Sequence, residues 1–236
     1  MTTSTEPSVG GQGEVAVRGT PTAEASPVGG AGRNVAGAVS ASGLGIGDPA
    51  PLGLAGFGIT TLLLSVINAG WLPAYDTIGV LAMAIAFGGG AQLLAGMWAF
   101  RRGNTFAATA FTSYGAFWFS FFLLVQYFLA PIKAAGGVSA ENNFLGLYLL
   151  AWGIFTAYMF FASLGSARAV SVVFILLAAT FFLLSAGKYA VSETITHIGG
   201  YVGLATAAAA IYASFADVLN ANLKRVILPT GEVHRA

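Results

Sequence analysis

Gln92 is the residue best placed in this chain to meet a small solute. It stands in FGGGAQLLAG (87–96), where Gly88, Gln92 and Gly96 recur at i, i+4 and i+8 and so share one helical face. Glycines at that spacing let a neighbouring helix approach closely, and the amide between them offers an uncharged donor and acceptor. Packing between helices and the lining of a solute path are equally good uses of such a face. Tyr114, in FTSYGAFWFSFF (111–122), is the second candidate. It shares a broad helical face with Phe117, Trp118 and Phe121, and its hydroxyl in mid-run must find a partner. His197 is the one ionisable side chain inside an apolar run, close to an end, where interfacial hydrogen bonding suits it. His197, Tyr201 and Ala205 lie one above another, followed by AAAA (207–210), a smooth strip expected to pack against a neighbouring helix. Paired acids, an acid–base dyad, a buried lysine and any cysteine are missing from these runs. Catalysis within a membrane needs convergent acids, bases or metals, so no enzyme, metal site or cofactor is expected.

The elements that must position these residues follow from composition. Of 236 residues 56% are hydrophobic and 8% charged, against about a quarter charged in ordinary soluble domains. Residues free of Asp, Glu, Lys and Arg fill the windows 49–75, 77–100, 103–132, 142–167, 169–187 and 194–216. A spanning helix needs about 20 apolar residues, and a barrel would show short alternating segments instead. The reading is an all-α membrane protein with six transmembrane helices, at 50–71, 77–100, 105–129, 143–164, 168–186 and 197–220. Short turns at 101–105 and 165–168 and loops at 72–76, 131–142 and 187–196 join them. Residues 1–47 read as a disordered tail without the pattern of a signal peptide, 48–222 as the spanning domain and 223–236 as a C-terminal tail. With both termini cytoplasmic, Arg18, Arg33, Arg101, Arg102, Arg168, Lys224, Arg225 and Arg235 lie inside and only Lys133 and Lys188 outside, as basic residues prefer. A net charge of +1 gives no reason to expect a nucleic-acid partner; the bilayer is the expected environment.

The first span begins unusually, with DPAPLGLAGF (48–57). Proline is tolerated at the first helical positions because those amides have no intrahelical partner. The free N–H groups at this positive end favour an anion. Asp48 suits a cap, and Gly53, Gly56 and Gly58 thin the helix so that another helix or a small solute can come near.

These residues also carry a resemblance. DPAPLGLAGFG (48–58) resembles the first-helix signature of the acetate uptake transporter family, with FGGGAQ (87–92), GNTF (103–106), AFTSYGAFW (110–118), FLGLYLLAWGIFT (144–156) and ILPTGE (227–232) matching in order. The resemblance implies a homohexamer of six-helix protomers, each with its own pore for acetate and related short monocarboxylates, succinate in some members, and transport coupled to protons or channel-like. It implies a hydrophobic constriction of Phe57, Tyr114 and Leu177 with Gln92 lining the path. Asn68 and Asn104 are further candidates along it, and Asp48, Pro49, Pro51, Leu52, Gly53 and Leu54 form the motif at the cytoplasmic mouth. Two departures stand out: Asp48 replaces the signature Asn, placing negative charge where an anion would arrive, and Ala107 stands where Gly often follows GNTF.

A bare carboxylate is costly in a low-dielectric path. Gln92 and Tyr114 as donors, or a proton travelling with the acid, are the expected remedies. The expected function is therefore monocarboxylate transport across the plasma or inner membrane. A channel for urea, ammonia or water, and a non-transporting assembly or sensor protein, are the alternatives that an uncharged bundle also permits.

Overall fold

Backbone polar groups in hydrocarbon must be satisfied within the chain, which leaves helices as the form for these long apolar runs. The computed structural model describes residues 45–232; all but the last three residues of the expected 1–47 tail, and residues 233–236, lie outside that range. Helix α1 is Ala50–Asn68. Helix α2, Ala74–Arg101, starts as a 3-10 turn and widens to a π-helix over Ala84–Ala91. Helix α3 is Thr105–Leu123, continued by a π turn at Leu124–Phe128. Helix α4 is Leu129–Ser163, α5 is Arg168–Tyr189 and α6 is Glu193–Leu223.

The segment 131–142 differs from the loop expected of it. Helix runs through it, interrupted at Gly137 alone, with φ 73 and ψ −173. Glycine reaches this left-handed region without a Cβ clash, so one residue turns the chain back. The reversal is recorded in three nested pairs around Gly137: Lys133–Glu141 at 3.3 Å, Ser120 with Tyr148 at 2.7 Å, and Tyr114 with Thr156 at 2.9 Å. The long apolar stretch from Thr105 to Ser163 is therefore an antiparallel hairpin of two rods.

Neighbours in sequence are neighbours in space, and the ring closes where α1 packs against α6. Small residues set these approaches. A Cβ on Gly56 would stand 2.7 Å from the Phe87 carbonyl oxygen of α2, and one on Gly58 would stand 2.9 Å from Ile211 of α6. On α6 the packed strip is Gly199, Gly203, Thr206, Ala207 and Ala210, whereas His197, Tyr201 and Ala205 are exposed. The close-packing face thus includes Ala207 and Ala210 of the expected strip but continues through Gly199 and Gly203 rather than His197 and Tyr201, because small residues let the backbones meet. Tyr201 instead accepts from Trp71 Nε1 at 3.2 Å, an aromatic pair at one end of the bundle. The other end carries Asp48, Arg102, Arg168 and the residues after α6.

Those last residues fold back. Lys224 turns the chain at φ 53, and Asn220 holds the segment by accepting from Ile227 N and donating to the Leu228 carbonyl. The carbonyls of Thr230 and Gly231 then accept from Ala169 N and Arg168 N, at 3.0 and 2.9 Å. They satisfy amides at the start of α5 that have no partner within the helix, which gives ILPTGE a structural use.

Candidate functional site

Phe57, Gln92, Tyr114 and Leu177, from four different helices, meet around one small cavity completed by Leu54, Ala110, Phe111, Val173 and Phe174. Its volume of about 20 Å³ suits about one water, less than a carboxylate with its methyl group. All four expected residues are buried, and no charged side chain lines the space. Phe57 and Tyr114 lie with ring centroids 5.7 Å apart, so the narrowing is side chain against side chain.

Helix packing places each wall. Gly53 lets Phe111 of α3 sit against α1, where a Cβ would come within 2.6 Å of its ring. Gly56 does the same for the Phe87 carbonyl of α2. The three glycines that thin α1 therefore seat neighbouring helices, and a solute is not what fills them. Gln92 is 1% exposed and its Oε1 has no hydrogen-bond partner. Gly96, one turn along, abuts Thr112 of α3. The glycines of this face are helix contacts, and Gln92 between them borders the cavity.

Tyr114 finds its partner on α4. Thr156 Oγ1 donates to the Trp152 carbonyl at 2.7 Å, so its single hydrogen is committed and the 2.9 Å contact with Tyr114 is the phenol donating to Thr156. Tyr114 therefore walls the cavity without a spare donor, which corrects its expected role as one. Aromatic contacts with Phe155 at 5.5 Å and Phe174 at 6.0 Å hold its ring.

Two expected path residues are not brought here. Asn104 caps α3, accepting from Ala107 N at 3.0 Å, and lies exposed at the bundle end. Asn68 closes α1 at the opposite end, where α6 crosses close by at Gly200.

At the Asp48 end of the bundle the start of α1 is already occupied. Asp48 Oδ1 accepts from Ala50 N at 3.0 Å, Pro51 has no N–H, and Gly53 N donates to the Pro49 carbonyl. The same Asp48 oxygen lies 3.2 Å from Arg102 Nη1. The free anion site expected at this helix end holds a resident carboxylate, and the negative charge expected to repel an anion is paired. Ser214 Oγ donates to the Pro51 carbonyl at 2.7 Å, tying α6 to the motif. Leu52 is exposed and Leu54 reaches the cavity. The sequence reading counts Arg102 only for orientation and quotes Thr156 only within a matching motif, and gives neither a place at the site. Thr156 lies in a stretch that carries no polar spacing of its own, and only the fold brings Arg102 to Asp48. Among the described residues no group of three His, Cys, Asp or Glu is placed to hold a metal ion.

Apolar helices of bilayer-spanning length around an uncharged, aromatic-walled cavity make the architecture of a membrane transport protein. Sequence comparison agrees: residues 31–234 match the model of the GPR1/FUN34/yaaH family. The chain belongs to that family. It is 47% identical over 190 residues to the succinate-acetate/proton symporter SatP of Escherichia coli K12, covering 80% of this chain and 97% of that one. It is 38% identical over 195 residues to acetate permease A of Emericella nidulans, covering 77% and 65%. The solved structure of the bacterial acetate channel SatP superposes with a TM-score of 0.69 at 44% identity, over 78% of this chain and 98% of that chain.

Proposed function

We propose that this protein carries acetate and related short monocarboxylates, with succinate as a further substrate, across the plasma or inner membrane. The observation that carries the reading is the uncharged cavity closed by Phe57, Tyr114 and Leu177 with Gln92 beside it, in a chain so similar to acetate-carrying relatives. The solute passes with its methyl group on the aromatic side and its carboxyl group toward Gln92, whose amide replaces part of its hydration. Since the cavity takes about one water, passage requires Phe57 or Leu177 to swing aside. No lysine or arginine stands in the narrowing to offset a bare anion, which favours entry of the acid with a proton. The six rods cross the bilayer with both termini cytoplasmic, each protomer holds its own path, and six protomers assemble.

Labelled acetate uptake into proteoliposomes, with and without an inwardly directed proton gradient (acidic outside), tests this. Uptake above empty liposomes that rises with the gradient is expected. Urea flux without acetate flux would replace the reading with a neutral-solute channel, and absence of any flux would point to an assembly or sensor role.

A further inference from the structure

One helical turn past the narrowing, away from Asp48, three elements meet again. Thr60 follows Phe57 by three residues on α1, and Trp118 follows Tyr114 by four on α3. Gly88 precedes Gln92 by four on α2, which runs the opposite way. All three steps therefore point in one direction, on the order of 5–6 Å along the bundle. A Cβ on Gly88 would stand 2.8 Å from Thr60 Oγ1 and 2.8 Å from Trp118 Cδ1, the carbon bonded to Nε1. A hydroxyl and an indole edge thus converge where α2 presents no side chain.

Both groups are fully buried, Thr60 at 0% and Trp118 at 1% exposed. Neither Thr60 Oγ1 nor Trp118 Nε1 has a hydrogen-bond partner. Thr61 beside it is unpaired as well, but Thr156, Thr180 and Thr206 show the usual outlet and donate to the carbonyl four residues back. Thr60 does not take it. A buried N–H or O–H left unpaired is penalised, and more so in a bilayer. Valine would fill the threonine's volume, and phenylalanine most of the indole's, without that penalty. The backbone opposite is the π-helix of Ala84–Ala91, a wider turn of the kind that recurs at functional sites.

We propose that Thr60 Oγ1 and Trp118 Nε1 form a second polar station on the path, donating two hydrogen bonds to the carboxyl oxygens of a monocarboxylate that has passed the narrowing. This rests on the transport reading above. Tyr114 has its hydrogen committed to Thr156, so the donors a solute meets are the Gln92 amide and then this pair. Two uncharged stations a turn apart replace hydration step by step and release the solute, where a lysine would retain it.

The full-length protein labelled with 15N-tryptophan carries four indoles, at 71, 98, 118 and 152. Sodium acetate titrated against a sodium chloride control is expected to shift the Trp118 indole N–H, assigned by its loss in Trp118→Phe. Thr60→Val and Trp118→Phe are expected to lower acetate uptake by at least about tenfold, the loss of one hydrogen bond to a charged group, while Thr60→Ser retains it. The remaining indole signals report that both variants stay folded. An unmoved Trp118 signal at acetate concentrations the wild type transports, or wild-type uptake in either variant, overturns the station. Wild-type protein that carries no acetate overturns the transport reading and the station with it.

Discussion

Asp48 Oδ1 joins the start of α1 to the end of α2, accepting from Ala50 N at 3.0 Å and lying 3.2 Å from Arg102 Nη1. The arginine side chain is 10% exposed and the aspartate 55%, so a largely buried cation leans on a half-solvated anion. Asp48→Asn keeps the cap, because the amide oxygen still accepts, and removes the competing charge. Its apparent KM for acetate is expected to fall about threefold, with steeper salt dependence, as for a rim charge freed to steer an anion. Asp48→Ala loses the cap as well and is expected to unfold more easily by about 1 kcal/mol. Uptake kinetics across ionic strength and thermal unfolding in detergent check the two variants. An unchanged KM in Asp48→Asn would show that Arg102 does not see the solute.

Phe57 closes the cavity against Tyr114 with centroids 5.7 Å apart. Phe57→Ala removes a ring from a space of about 20 Å³ and is expected to loosen size selection. Butyrate uptake should rise relative to acetate by roughly tenfold, about 1.4 kcal/mol of discrimination. Competition among acetate, butyrate and larger acids in vesicles measures it, and an unchanged ranking would remove Phe57 from the narrowing.

How much of this could be read in advance varies from residue to residue. The charge-free windows fall on the long helices of the described residues, because the bilayer imposes a length and an apolar content. The windows missed that helix continues through 131–142, since a one-residue reversal at Gly137 leaves only a glycine in the sequence. Phe57, Gln92, Tyr114 and Leu177 were legible through family resemblance and do converge. The Tyr114 donor was misjudged because a hydroxyl's direction depends on Thr156, 42 residues away. Thr60 stood in plain view at i+3 from Phe57, on the same face, and its unpaired hydroxyl is visible only once its neighbours are in place.

Thr156 carries the phenol of Tyr114 through one hydrogen bond in a fully buried setting. Thr156→Val keeps the shape and strips the acceptor, leaving the phenol unpaired at about 1–3 kcal/mol. A lower melting temperature and reduced acetate uptake are expected, and Thr156→Ser should restore both. Full stability in the valine variant would mean that Tyr114 has found another acceptor, perturbing the wall it forms.

Gly56 and Gly53 separate two ways in which a methyl group can harm this bundle. A Cβ on Gly53 meets the Phe111 ring at 2.6–2.7 Å, and a ring can turn, here into the cavity it already lines. A Cβ on Gly56 meets the Phe87 carbonyl oxygen at 2.7 Å, and a backbone atom in a packed helix cannot turn. Gly56→Ala must therefore push α1 from α2 and strain the π segment that carries Phe87 and precedes Gln92, at about 1–3 kcal/mol for overpacking. Gly53→Ala is expected to leave the melting temperature nearly unchanged and to lower acetate uptake by narrowing the path. Gly56→Ala is expected to lower both. Thermal unfolding and proteoliposome uptake, measured side by side, distinguish them: equal destabilisation by the two substitutions would contradict the different partners that these glycines meet.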